Sequence, residues 1–448
     1  MKKMLVMISL FVFAPVLTAE EYVNLDINSI LKDYKALKAP EPNGLLLKKG
    51  DRLAICGDSI TEQRMYSLAI ETYLTVCVPQ LDITVRQYGW GGETAPGFLG
   101  RMKNDCLRFD PTIATTCYGM NDFHYLPYKD EYGKEYYDSV TAIVKLFKEK
   151  GSRVIVGSPG CIGKRPSWQG DATVINNDLN LSLLKFRNID IQIAAEQNAA
   201  FADVYLPMLL ATYKAQALYG SDFKVAGDDG VHPDWAGHII MAYAFLKAMG
   251  LDGQIGTITI DLDSGNTTVN EGHKVVNVSG VGGNSGADKT ETSDSPFEVT
   301  LESSRYPYCD DGAGDKHNSG RAGMNLVPFN ETLNRFMLVV KNTHAKNYQV
   351  IWGDREKSYT AEQLNTGVNL AADFALNPFV KPFKAVSETI KKKQEYETKQ
   401  IKSLFHGEEG GADMEATVTL SEKAHKLLAD DILKTFKPVK HTIKIVAK

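Results

Sequence analysis

Between residues 52 and 250 the chain alternates short apolar runs with longer stretches of helical periodicity, which narrows the folds open to it. Residues 53–56, 83–88, 113–117, 154–156 and 202–205 read as strands. Residues 136–150 place Val140, Ile143, Val144 and Phe147 on one helical face and stop at Gly151, a residue suited to a helix C-terminus. Residues 175–198 and 238–249 read as further helices, the second ended by Gly250. Strand then helix, repeated, predicts a parallel sheet covered by helices on both faces. Crossovers in such a sheet are right-handed, and ligands bind beyond the carboxyl ends of its strands.

After Gly250 the pattern changes. Residues 255–262, 275–278, 297–302, 335–340 and 348–352 read as strands with no helical periodicity between them. Residues 279–295 are rich in Gly, Ser, Thr and Asp and read as a loop, as do residues 309–323. Helical signals return from residue 361, at 385–405 and 421–436, and residues 441–446 close as a strand. The expected organisation is an α/β domain at 51–250, a β-rich module at 251–360, and a helical tail at 361–448 ending in a strand. A length of 448 residues suits two or three such units.

Lys2 and Lys3 precede an apolar stretch over residues 4–16, and Ala19 sits at a plausible cleavage position. Residues 1–19 therefore read as a secretory signal peptide and residues 20–50 as an N-terminal extension, which predicts a secreted or periplasmic protein. The apolar stretch is too short to span a bilayer comfortably, so no stable membrane insertion is expected after cleavage. The net charge of -5 argues against a nucleic-acid partner. Export permits disulfides, but 6 cysteines are few for this length, and Cys56 and Cys117 sit inside apolar runs as buried thiols. No CxxC pair or third ligand at recognisable spacing supports a metal site. No internal repeat or heptad run points to an oligomeric state.

Four short segments carry the chemistry. Ile55-Cys56-Gly57-Asp58-Ser59-Ile60 puts a hydroxyl at the end of an apolar run. Tyr88-Gly89-Trp90-Gly91-Gly92-Glu93-Thr94 offers a backbone amide with no side chain in its way. Tyr118-Gly119-Met120-Asn121-Asp122 supplies a side-chain amide, and Asp229-Gly230-Val231-His232-Pro233 a carboxylate three residues before an imidazole. Taken singly, each has a plainer reading. Ser59 can cap a helix, Gly91-Gly92 can be loop glycines, Asn121-Asp122 can form a turn, and Asp229 and His232 can start a helix. Taken together and in this order they spell an acyl-transfer site. Ser59 is the nucleophile, His232 its base, and Asp229 the group that orients the imidazole. The amides of Ser59 and Gly92 and the Asn121 side chain form the oxyanion hole. Gly91 is the alternative to Gly92.

The set resembles the SGNH/GDSL hydrolase superfamily, named for its Ser, Gly, Asn and His. Gly57-Asp58-Ser59-Ile60 matches the first block with Ile in place of Leu, Gly92 the second, Gly119-Met120-Asn121-Asp122 the third, and Asp229 to Pro233 the fifth. The resemblance covers roughly residues 51–250. It implies a flavodoxin-like α/β/α sandwich and a metal-independent serine esterase with no cofactor. The reading that follows is a secreted esterase cleaving O-acyl esters, chiefly O-acetyl groups on carbohydrate, acting on a small-molecule or polysaccharide substrate. The alternatives are a lipase or phospholipid acylhydrolase, and a non-catalytic carbohydrate-binding envelope protein. Trp90, Phe123, His124, Tyr125 and Tyr128 flank the blocks, as an aromatic wall for a sugar ring or as loop packing. Trp168 lies in a polar loop placed to overhang the pocket, His238 reads as structural, and residues 391–393, all lysine, as a solvated helix face.

Overall fold

The strand Arg52–Gly57 (β1) is buried from Leu53 onward, as expected for the interior of a doubly covered sheet. The computed structural model describes Val23 and residues 34–280, 296–310 and 319–448. The signal-peptide reading and most of the two loop readings, at 279–295 and 309–323, lie outside the described residues. In chain order the α/β unit continues with α1 (Ser59–Glu62), α2 (Met65–Val76), β2 (Thr84–Gln87), α3 (Ala95–Asp105), β3 (Ile113–Cys117), α4 (Asp130–Glu149) and β4 (Arg153–Gly157). It ends with α5 (Asn176–Glu196), β5 (Ala200–Ala202), α6 (Tyr205–Tyr219) and α7 (Trp235–Ala248).

The five strands form one parallel sheet in the order β2-β1-β3-β4-β5. This order reverses direction between β1 and β3, so the crevice at their carboxyl ends is the natural ligand position. The α4 stripe of Val140, Ile143, Val144 and Phe147 is buried, and the helix stops at Lys150 before Gly151 takes φ +81°. One boundary differs from expectation. Residues 202–205 do not continue as a strand, because the Ser158 hydroxyl accepts the amides of Val204 and Tyr205, each at 3.0 Å, and starts α6 there. That hydroxyl comes from the end of a neighbouring strand, and no local pattern announces it.

Beyond Gly250 follow β6 (Gln254–Asp261), β7 (Thr267–Val269), β8 (His273–Ser279), β9 (Phe297–Ser303), α8 (Gly320–Leu326), α9 (Phe329–Thr332), β10 (Arg335–Lys341), β11 (Asn347–Trp352) and β12 (Arg355–Thr360). Then come α10 (Ala361–Thr366), β13 (Val368–Asn369), α11 (Leu370–Asp373), α12 (Val380–Lys399), a π turn (Gln400–Phe405), α13 (Glu408–Ala412), α14 (Met414–Thr435) and β14 (Val439–Ala447). They make a four-stranded sheet, β13-β10-β6-β7, and a five-stranded antiparallel sheet, β12-β11-β14-β9-β8. The closing strand β14 is central, paired with β9 on one side and β11 on the other.

The structure corrects two readings of this part. Helices α8 and α9 interrupt a stretch expected to hold strands and loops alone. The glycines that suggested a loop instead let α8 lie close on α7, since a Cβ at Gly323 would fall 2.5 Å from the Ala236 carbonyl oxygen. The lysines at 391–393 are not a solvated face throughout. Lys391 and Lys392 are exposed, but Lys393 is 2% exposed and donates to the Val85 carbonyl at 2.7 Å. It also pairs with Glu397 at 2.5 Å and Glu71 at 3.0 Å. Through this face α12 packs on α2 and β2 of the α/β unit, and α14 packs on α12.

Candidate active site

Strand β1 ends at Gly57, where no side chain fits. A Cβ there would lie 2.1 Å from Thr61 Oγ1 and 2.9 Å from the Cys117 carbonyl oxygen. The chain turns at Asp58, whose Oδ1 accepts the Ile60 amide at 2.9 Å and caps α1. Asp58, not Ser59, is therefore the capping residue. Ser59 takes the first helical position, where its amide is one of those a helix leaves without an internal partner.

The Ser59 hydroxyl lies 2.8 Å from His232 Nε2, and His232 Nδ1 lies 2.6 Å from Asp229 Oδ2. The other carboxylate oxygen of Asp229 accepts the amides of Val231 and His232, each at 2.8 Å. Partial burial opposes ionisation of Asp229. The two amides and the imidazole outweigh it and hold the carboxyl below its usual range. An ionised Asp229 keeps the proton on Nδ1 and leaves the Nε2 lone pair facing Ser59. Two glycines at positive φ shape this loop. A Cβ on Gly227 would meet the His232 carbonyl oxygen at 1.8 Å, and one on Gly230 the Lys164 carbonyl oxygen at 2.4 Å. The Gly163 amide donates to the Gly230 carbonyl at 2.9 Å and ties the loop to residues after β4.

In the second segment, four of five successive amides are engaged within the protein. Gly89 donates to Gln87 Oε1 at 3.0 Å, Trp90 to the Gly57 carbonyl at 3.1 Å, Gly91 to the Glu62 carboxylate, and Glu93 to the Trp90 carbonyl at 3.1 Å. The Gly92 amide, at φ +73°, has no protein partner among the described residues. Gly91, the alternative donor, is already bonded. The Glu93 carboxylate is held by Arg101 at 2.6 Å on each oxygen. Asn121 Nδ2 donates to the Glu93 carbonyl at 3.0 Å, and its Oδ1 accepts from Tyr125 at 3.4 Å, which brings the third segment onto the second. Asp122 is buried and accepts the amides of Ala95 and Gly119 at 2.8 and 2.9 Å. Burial pushes its carboxyl up to about 6 and that of Asp58 up to about 7.

The aromatic residues divide by role. Trp168 is exposed, stands edge-on to Tyr125 with centroids 5.6 Å apart, and lies 6.4 Å from the His232 ring. Phe123 is buried, and both Phe123 and Tyr128 pack edge-on to Phe186. His124 packs on Tyr132, and Trp90 sits with Lys402 and Arg101 each 5.1 Å from its ring centroid. His238 is fully buried on Tyr66, bonds Gln63 Oε1 at 2.8 Å, and is pushed down to about 3 by burial. A cavity of about 700 Å³ lies between the starts of β1 and β2 and helix α14, and none of Ser59, Gly92, Asn121 or His232 lines it. Sequence reasoning missed Glu62, Arg101, Lys402 and His406. The contacts of Glu62, Lys402 and His406 join segments distant in the chain and leave no local signal, whereas Arg101 meets Glu93 only eight residues earlier, at a spacing that no helix or strand periodicity marks.

Residues 55–240 match the model of the GDSL-like lipase/acylhydrolase family. An acetylxylan esterase from Geobacillus stearothermophilus is 25% identical over 227 residues, 45% of this chain and 95% of that protein. Among solved structures, a gut microbial diltiazem-metabolizing enzyme is similar with a TM-score of 0.69 at 22% identity. The likeness covers 92% of this chain and 100% of that one, so the shared fold runs well past residue 250.

Proposed function

Residues 55–240 belong to the SGNH/GDSL hydrolase superfamily and the chain is an enzyme acting on ester bonds, and on that premise we propose a secreted serine esterase for O-acetyl groups on carbohydrate. Ser59 Oγ attacks the ester carbonyl while His232 Nε2 takes its proton. The amides of Ser59 and Gly92 and the Asn121 side chain receive the developing oxyanion. Protonated His232, steadied by Asp229, then gives its proton to the sugar oxygen as the acyl C–O bond breaks, so that the sugar leaves as an alcohol and Ser59 keeps the acetyl group. Water, activated by the same imidazole, releases acetate from Ser59 and restores the serine.

The observation that carries this reading is the unbroken line Asp229–His232–Ser59, with bonds of 2.6 and 2.8 Å. The acetylated-carbohydrate substrate is supported by the acetylxylan esterase relative and by the exposed Trp168 beside His232. Secretion rests on the sequence of residues 1–19 and is checked by sequencing the mature N-terminus. Ser59→Ala should lower p-nitrophenyl acetate hydrolysis by about 10⁶ while the protein stays folded. A fluorophosphonate should label Ser59, and acetate release from acetylated xylo-oligosaccharides should exceed turnover of long-chain esters. An adduct on another serine, or an active Ser59→Ala enzyme, would remove the assignment. A preference for long acyl chains would replace it with the lipase reading.

A further inference from the structure

Gly91 and Gly92 are the two central residues of a tight turn closed by the Glu93 amide on the Trp90 carbonyl. The φ of +73° at Gly92 is that of the third position of a type II turn. With glycine at both central positions the chain itself scarcely selects a turn type, because the peptide between them flips without steric penalty. That flip reverses the direction of the Gly92 amide. The orientation must be chosen by what holds the turn from outside.

The Glu62 carboxylate is an external hold on the Trp90–Gly91 peptide, which leads into the turn next to the peptide that flips. One of its oxygens accepts the Gly91 amide and the other accepts Lys402 Nζ at 2.7 Å. Lys402 belongs to the π turn that follows α12, a helix distortion often found at functional positions. It also lies 5.1 Å from the centroid of the Trp90 ring, the residue that opens the turn. The π turn is itself anchored. Ile401 and Phe405 are buried, and His406 bonds Asp105 at 2.8 Å and meets Trp90 edge-on at 5.0 Å.

We propose that Lys402 is a positioning residue for the oxyanion hole, acting through Glu62 to hold the Gly91-Gly92 turn in the form that leaves the Gly92 amide free for the substrate. The inference rests on the esterase reading above and assigns to the C-terminal part of the chain a share in its rate. Lys402 does not touch substrate. It keeps the Glu62 carboxylate in place, and Glu62 keeps the turn.

The test uses the full-length protein with p-nitrophenyl acetate. Lys402→Met keeps the volume and removes the charge. It should lower kcat about 10-fold, short of the ~10²–10³ that outright loss of a donor costs, with KM within about 2-fold. Phosphonylation of Ser59 by a fluorophosphonate should slow by the same factor. Lys402→Arg should restore both rates. Glu62→Gln should reproduce the loss, and Lys402→Met added to it should change nothing further, since the two act in series. An unchanged kcat in either Lys402→Met or Glu62→Gln overturns the proposal, as does a rise in KM alone. If Lys402→Met does not fold, Glu62→Gln decides by the same readings. Ser59→Ala, run beside them, separates the two levels. A dead Ser59→Ala enzyme with wild-type Lys402→Met turnover removes the positioning role alone, whereas an active Ser59→Ala enzyme removes the esterase reading.

Discussion

The His232 loop and the Gly91-Gly92 loop are held in different ways. The His232 loop is held mainly from within, beside the one bond from the Gly163 amide to the Gly230 carbonyl. Asp229 binds the amides two and three residues on and then the imidazole, and two glycines fold the chain tightly enough to allow it. The Gly91-Gly92 loop leans on the far end of the chain. Besides its bonds to Gly57, Asn121 and Arg101, it takes remote contacts through Glu62 from Lys402, 340 residues from Glu62, and from His406, 301 residues from its partner Asp105. A general base needs one orientation, which a short motif can encode. An oxyanion hole needs fixed dipoles, and their fixity can be supplied by any rigid body nearby.

The sharpest break of this contrast comes from the His232 loop. His232→Ala should cost about 10⁶ in kcat and Asp229→Asn about 10⁴, by comparison with the same roles in other triads. Thermal unfolding should move little for either, since the carboxamide oxygen introduced by Asp229→Asn can still accept both backbone amides. A large fall in Tm for Asp229→Asn would show that the loop depends on the charge of the carboxylate and not on its acceptor geometry alone. Asn121→Ala comes next. Losing one oxyanion donor should lower kcat by ~10²–10³ at nearly constant KM.

The remote support is tested through stability. Glu397 lies buried between Lys393, His425 at 2.8 Å and the Gln87 amide at 3.1 Å, on the seam that carries Lys402's helix. Burial opposes its charge, but Lys393, His425 and Arg86 prevail and hold the carboxyl below its usual range. A depressed carboxyl contributes stability that is present above its unfolded value of about 4.3 and lost as pH falls through the folded value. Thermal scans should therefore show stability falling below about pH 4.5. Glu397→Gln should cost roughly 3–5 kcal/mol at pH 7, as for one partner of a buried pair, and flatten that acid limb. Glu71, across Lys393, is pushed up by burial and has the opposite sign, with its ionised form costing stability near neutrality. A Glu397→Gln protein as stable as the parent at pH 7 would remove the seam as a support.

What the sequence disclosed follows the same division. The strands β1 and β3 stand out as short apolar runs, and the candidates Ser59, Asn121 and His232 come from motifs only a few residues long, of which the structure brings Ser59 and His232 within 2.8 Å. Gly92 and Gly91 were not separable by spacing, because the choice depends on which amide Glu62 occupies. The start of α6 depends on a hydroxyl from another strand, and α8 hid its helix in glycines needed for close approach. Lys393 looked solvated because charged residues usually are, yet its partners Glu71 and Val85 lie some 300 residues away. Lys402 had no signal at all.

The central place of β14 adds a consequence in time. Strand β9 has its inner edge completed only when β14 arrives, and Ser303 precedes its partner His441 by 138 residues. At about 5–20 residues per second a ribosome needs roughly 7–30 s to cover that gap. Throughout that wait the buried face of β9, with Phe297, Val299 and Leu301, lacks its neighbour. The parallel sheet, by contrast, can close as soon as β5 emerges. Ser59 and His232 are thus made well before Lys402, and Glu62, which holds the Gly91 amide, meets Lys402 only afterwards.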